Sequence, residues 1–164
     1  PGIFSIGDTL TAGKKFSYEG IPTFAPEHFA VIEQIDSMKR KQFAKGMTEI
    51  AQEGAIQIFF YPNSGMEQVV VGVVGVLQFD VLRFRMKSEY GVEFRQRDLP
   101  HEFIRRVGNP EFNASAWNLP RDVLWVQDVR GRDLLVFNGQ WTVRWAEEKN
   151  AELQLSEFYE DIEG

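Results

Sequence analysis

Two histidines, His28 and His101, are the only imidazoles in the 164 residues, and there is no cysteine. A zinc-type site needs clustered His, Cys or carboxylate ligands at close spacing. Neither histidine stands at such a spacing with the other, and with so few candidates no nucleophile–base–acid arrangement picks itself out. The carboxylates Glu157, Glu160, Asp161 and Glu163 are dense enough to interest a calcium ion. They lack the Gly-punctuated pattern of a calcium loop, so a solvated acidic end is the simpler reading. Gly7 to Lys15 imitates a phosphate-binding loop. Five residues separate Gly7 from Gly13, Lys15 stands where the hydroxyl should be, and no helical pattern follows. The G-x-x-x-x-G-K-[ST] geometry is therefore not available. Gly72 and Gly75 do not form G-x-G-x-x-G; they suit a close backbone approach and a tight strand-to-helix turn. No catalytic, cofactor-binding or metal-binding residue is expected, and the chain by itself is not expected to be an enzyme.

Charge offers a better lead. The net charge is −6, yet residues 147–164 contain seven acidic residues and one Lys, which accounts for all of it. The remaining 146 residues are neutral overall and carry two local basic stretches. Asp36 to Lys45 has four positive residues and one negative; Arg83 to Arg106 has seven and four. Lys and Arg on a rigid face are what phosphate backbones bind. Charge runs are also commonly just solvated faces, and both readings stand at this point. On charge and periodicity the first contact candidates are Lys39, Arg40, Lys41 and Lys45; Arg83, Arg85 and Lys87 come second. Trp117, Trp125, Trp141 and Trp145 could stack on bases or serve as core.

The elements that position these groups follow from periodicity. A hydrophobic fraction of 43% with 26% charge, including 14 Phe, suits one globular domain. No apolar run reaches the ~18 residues of a membrane span, and no N-terminal signal pattern is present. Residues 29–35 alternate as a strand. Asp36 or Ser37 can cap a helix, and Phe43, Met47, Ile50 and Ala51 then recur at helical spacing up to Gly54. Residues 55–61 are β-rich. Residues 68–76 are nearly all valine, the mark of a strand buried on both faces. From Gly75 to Gly91 runs a helix with two apolar stripes. Leu77, Val81 and Phe84 form one; Phe79, Leu82, Met86 and Tyr90 form the other. Residues 92–95 alternate again.

The order β-α-β-β-α-β over residues 29–97 predicts an α+β, ferredoxin-like split βαβ sandwich. We expect the first stripe of the second helix to face the sheet. The second stripe is expected to carry a β-rich extension, residues 98–164. Within that extension residues 103–107 and 123–126 are strand candidates, and residues 112–117 form a loop or short helix between prolines. Asn138-Gly139 predicts a type I′ hairpin joining residues 134–137 to residues 140–145. Leu153, Leu155 and Phe158 are the expected anchors of the acidic end. The chain begins at Pro1, and a piece of a longer polypeptide is expected.

Several strings resemble a known family. They are Ile6-Gly7-Asp8-Thr9-Leu10, Gly20-Ile21-Pro22-Thr23-Phe24-Ala25-Pro26-Glu27, Lys41-Gln42 with Lys45-Gly46, Glu53-Gly54-Ala55-Ile56-Gln57, Gly72-Val73-Val74-Gly75-Val76-Leu77-Gln78-Phe79-Asp80-Val81, and Lys87-Ser88-Glu89-Tyr90. In this order they are similar to the C-terminal half of bacterial peptide chain release factor 3, a translational GTPase more distantly related to elongation factor G. The resemblance covers residues 3 to about 95.

It implies a termination factor that binds the ribosome with GTP and promotes departure of class I release factors in the cytoplasm. GTP and Mg would sit in a preceding GTPase domain and not in this chain. Residues 1–20 would end a second, β-barrel domain, and residues 21–164 would form the third. The partners implied are the ribosome (rRNA and ribosomal proteins), class I release factors and the factor's own GTPase domain; no membrane is expected. The alternative from another class is a free-standing ferredoxin-like module that dimerises or senses a small ligand. A hydrolase built on the carboxylate-rich C-terminal half ranks below both.

Overall fold

The computed structural model describes residues 25–158. The P-loop imitation, the strands expected in residues 1–20, the start of the third domain at residue 21, and the carboxylates of Glu160, Asp161 and Glu163 lie outside them.

Eight strands and three α-helices follow in the order β1 (His28–Gln34), α1 (Arg40–Gln52), β2 (Gln57–Phe59), β3 (Gln68–Val73), α2 (Leu77–Tyr90), β4 (Phe94–Leu99), β5 (Phe103–Val107), β6 (Leu124–Gln127), β7 (Asp133–Phe137), α3 (Gln140–Lys149) and β8 (Leu155–Glu157). Short 3-10 turns precede α1 and β6. The strands form two antiparallel four-stranded sheets, ordered β2-β3-β1-β4 and β6-β7-β5-β8. The architecture is α+β, and the first six elements are compatible with a split βαβ unit.

Alternation along the central strands explains the layering. Ala30 and Ile32 of β1, with Val69, Val71 and Val73 of β3, pack beneath Phe43, Met47 and Ile50 of α1 and Phe79, Leu82 and Met86 of α2. Their neighbours Phe29, Val31 and Val70 point the other way, onto Ile104, Val126, Leu134 and Val136 of the second sheet. Side chains of a strand alternate between faces, so a strand apolar at every position is buried from both sides. β7 repeats the device: Leu135 and Phe137 turn away from the first sheet and meet Val143 and Ala146 of α3. The order of layers is helix pair, sheet, sheet, helix.

Local signals set the ends of the helices. Asp36 Oδ1 accepts from the Met38 amide at 2.9 Å and opens the 3-10 turn ahead of α1. Gly54 and Gly91 follow α1 and α2 with φ of 92° and 69°, the left-handed values that favour glycine at a helix end.

Three expectations are overturned. The stripe of α2 that faces the sheet is Phe79, Leu82 and Met86, while Leu77, Val81 and Phe84 face outward. The extension covers the back of the first sheet instead of α2, because β1 and β3 offer a second apolar face there. And residues 140–149 form α3, not the second strand of a hairpin. Gly139 adopts an extended conformation as the residue before the helix, with no positive φ, and the Asn138 side chain donates to the Asp122 carboxylate. Val143, Ala146 and Asn150 are buried at a spacing of three and four, and that helical period outweighs the Trp141/Val143/Trp145 alternation.

Other readings hold within a few residues. β5 and β6 are at their expected places, with a 3-10 turn at Ala114–Ala116 between the prolines. Leu153, Leu155 and Phe158 pack against the second sheet.

Candidate nucleic-acid interface

The seven candidate cations all sit on the helical side of the first sheet. α1 buries Phe43, Gly46, Met47 and Ile50, so its opposite side is solvated, and Arg40, Lys41 and Lys45 are exposed there. Among the described residues, none of these three side chains has an ion-pair or hydrogen-bond partner. A helix that buries one narrow stripe leaves residues one turn apart on its far side adjacent. Lys41 and Lys45 are such a pair, and Arg40 precedes them.

The other four are engaged. Lys39 Nζ donates to the Gly91 carbonyl at 2.7 Å, tying the start of α1 to the end of α2. Arg83 donates to the Phe94 carbonyl at 3.0 Å and to Gln96 Oε1 at 3.1 Å, and its guanidinium lies 4.5 Å from the Phe94 ring centroid. It stitches α2 to β4. Arg85 pairs with Glu53 at 2.5 Å and with Glu89 at 2.9 Å. Hydrogen bonds to Glu53 and Glu89 raise its already high pKa, and Arg85 in turn holds both carboxyls below the usual range. Lys87 pairs with Glu93 at 2.8 Å, an exposed bridge whose hydrogen bond raises the amine and lowers the carboxyl.

Charge and periodicity name all seven, and the fold puts them on one side. Those signals do not separate three unengaged cations on α1 from four already held by internal partners. The acid at i+4 is visible for Arg85–Glu89, but Glu53 lies 32 residues away and only the fold brings it in.

His101 is 5% exposed, and its Nε2 donates to the Asp122 carbonyl at 2.6 Å. His28 opens β1 beside a cavity of about 450 Å³ bounded by Glu102, Arg105 and Glu157, where Arg105 and Glu157 lie 3.9 Å apart. Among the described residues no three His, Asp or Glu side chains converge as metal ligands. No described helix is long and apolar enough to cross a membrane.

Two tryptophans belong to the core. Trp117 stacks on Phe112 at 6.3 Å, and Trp125 meets the same ring edge-on at 5.5 Å while donating to Asp133. Trp141 is 67% exposed on α3. Gly72 is where Pro26 crosses β3, since a Cβ there would come within 2.8 Å of the proline ring. Gly75 belongs to the turn into α2, where its amide donates to Gln78 Oε1 at 2.9 Å.

Comparison with known proteins places this geometry. Residues 18–147 match the family model described as class II release factor RF3, C-terminal domain. A peptide chain release factor 3 of Symbiobacterium thermophilum is 44% identical over 151 residues, covering 92% of this chain and 28% of that protein. One from Trichodesmium erythraeum is 42% identical over 157 residues, covering 95% and 29%. One from Gloeobacter violaceus is 39% identical over 160 residues, covering 96% and 30%. The chain thus spans less than a third of the length of these relatives. With the family pattern matched over residues 18–147, which take in every described strand and helix except the end of α3 and β8, the chain belongs to the class II release factor family as its C-terminal domain.

Proposed function

We propose that the chain is the ribosome-docking C-terminal part of a translation termination factor acting in the cytoplasm. In the full-length protein a preceding domain would bind GTP with Mg and hydrolyse it, and the whole factor would promote departure of class I release factors from the ribosome. Residues 7–15 of this chain do not fit that nucleotide, for the spacing reasons given above, so the GTPase chemistry belongs to the preceding domain. Within the chain, the strand order β2-β3-β1-β4 with both helices on one face supports a ferredoxin-like core over residues 29–97. Residues 98–164 form the extension, and residues 1–20 are read as the end of a β-barrel second domain, with the third domain starting at residue 21.

The observation that carries the docking reading is the solvated side of α1, where Arg40, Lys41 and Lys45 stand exposed with no described partner. An unengaged cation can neutralise a phosphate without first breaking an internal pair, and such contacts give binding its salt dependence. Lys39, Arg83, Arg85 and Lys87 take second place because each already holds a partner.

The test is co-sedimentation of the full-length factor with ribosomes in the presence of a non-hydrolysable GTP analogue, over a salt series. The Lys41→Glu/Lys45→Glu variant is expected to bind at least about tenfold more weakly near physiological salt. The slope of log affinity against log salt should fall by about 2. Lys87→Gln should change both far less. Unchanged binding by the double variant removes this face from the interface.

A further inference from the structure

Five apolar side chains on the helical side of the molecule lack cover among the described residues. Val74, Val76, Leu77, Val81 and Phe84 are 47%, 55%, 72%, 51% and 70% exposed. They follow the turn from β3 into α2 and then the outer stripe of α2. Single exposed apolar residues are ordinary; five within residues 74–84 are not.

The turn that presents the first of them is held in place. Gln78 Oε1 accepts from the Gly75 amide at 2.9 Å and the Val74 amide at 3.2 Å, while its Nε2 donates to the Ala55 carbonyl at 2.9 Å. One side chain fixes both the turn and its distance from the loop after α1. The surface is thus arranged before anything binds it, which spares a partner the cost of ordering it. The exposed polar residues within this stretch are Asp80, an acid, and Arg83, whose guanidinium is already bound to the Phe94 carbonyl and Gln96, so phosphate is a poor match and a protein surface a good one.

The path of the chain says which protein. The Glu27 amide donates to the Val73 carbonyl at 2.9 Å, and Pro26 lies against Gly72. The polypeptide ahead of Ala25 therefore reaches the fold at the end of β3 that leads into the Val74-Gly75 turn, on the side of Glu102 and Arg105. The matched relatives are more than three times longer than the matched stretch, and the family matched is a C-terminal domain. The bulk of such a polypeptide lies on the N-terminal side.

We propose that the face formed by Val74, Val76, Leu77, Val81 and Phe84 docks the domain that precedes this one in the full-length polypeptide. Five side chains fall short of the roughly 800 Å² per partner that a stable free complex buries. A tethered neighbour needs less, because the tether keeps its effective concentration high. The same argument disfavours a second copy as occupant.

These 164 residues contain no cysteine, so a thiol introduced among them is the one its peptide reports. Phe84→Cys, with Val81→Cys as a second probe, is compared with Glu148→Cys on the exposed side of α3. Maleimide modification rates at each site are read by peptide mass spectrometry. In the full-length protein without ribosomes, a face covered in nine molecules of ten is modified about tenfold more slowly than the reference. In the 164-residue chain alone, the thiols at positions 84 and 81 are expected to react as fast as the one at position 148.

Equal rates at the three sites in the full-length protein overturn the proposal. So does slow modification in the short chain alone, which assigns the cover to its own first residues, or to a second copy if protection rises with concentration. Protection in the full-length protein that arises only after ribosomes are added also overturns it, because the occupant is then ribosomal.

Discussion

Replacing Gly46 by alanine should destabilise the domain, although alanine is the better helix former. Gly46 lies inside α1 on its buried stripe, where α1 crosses α2. A Cβ added there would stand 2.7 Å from Met86 Sδ and 2.8 and 2.9 Å from Tyr90 Cδ2 and Cγ. Carbon atoms pack best at about 3.5–4.0 Å, so these neighbours must retreat by most of an ångström. Met86 is flexible but fully buried. Tyr90 has less freedom: Cγ is the root of its ring, and its hydroxyl donates to Glu49 Oε1 on α1 at 2.6 Å. Both contacts sit on α2, so relief requires the two helices to separate or Tyr90 to leave.

Overpacking of this kind costs about 1–3 kcal/mol, whereas the propensity gain of Gly→Ala in a helix interior is about 1 kcal/mol. The balance is a net loss of about 1 kcal/mol, or roughly 3 °C in Tm for a domain of this size. Thermal and urea unfolding followed by far-UV circular dichroism measure it. The decisive comparison is the same substitution in a Tyr90→Ala background. With the ring gone only the thioether opposes the new methyl, and Gly46→Ala should become neutral or stabilising. A stabilised Gly46→Ala single variant, or the same loss in both backgrounds, would refute the packing argument.

Two further predictions concern polar groups. Tyr90 is pushed up to about 12, first by its hydrogen bond to Glu49 and then by desolvation. A group whose folded pKa is raised contributes stability that is present below its unfolded value, near 10, and is lost as pH rises through the folded value. Glu49→Ala should move the latest-titrating tyrosine toward 10 in a 295 nm absorbance titration and flatten the fall in stability between about pH 10 and 12. Asn150 is 7% exposed; its Oδ1 accepts from the Asn118 amide at 2.8 Å and its Nδ2 donates to the Asn118 and Ala146 carbonyls at 2.9 and 2.7 Å. Asn150→Ala strips partners from these backbone groups and should cost about 2–4 kcal/mol in urea unfolding. Asn150→Asp, which retains the acceptor and loses the donor, should recover part of that.

The legible part of the fold is the part written in period and punctuation. β1, α1, β3 and α2 follow from apolar spacing, from Asp36 and from Gly54 and Gly91, because the helices bury one stripe between local end signals and the strands are apolar on both faces. The hairpin expected at residues 134–145 fails where two periods coexist. Trp141, Val143 and Trp145 alternate, yet Val143, Ala146 and Asn150 recur at helical spacing, and Gly139 is as useful ahead of a helix as in a turn. The run Ala146-Glu147-Glu148-Lys149, rich in helix formers, is the local signal that decides for the helix.

The candidate site divides along the same line. That α1 exposes Lys41 and Lys45 follows from its own stripe; that Arg85 is held by Glu53 follows only from helix packing.

The reversal of α2 has a physical source that bears on the proposed docking face. Both its stripes are apolar enough to face a sheet, so neither hydrophobicity nor spacing could rank them. One contact that goes with the observed choice is made by Gln78, a polar residue of α2 that lies in neither stripe. Its side chain caps the Val74-Gly75 turn and reaches the Ala55 carbonyl after α1, and with the helix entry so fixed Phe79, Leu82 and Met86 come over β1 and β3. Leu77, Val81 and Phe84 must then point away from that sheet. A helix needs one apolar stripe to pack on a sheet, and this one carries a second where a solvated face is ordinarily polar. A neighbour that covers it in the longer polypeptide supplies the reason, and the thiol modification rates at positions 81 and 84 decide whether that neighbour is the preceding domain.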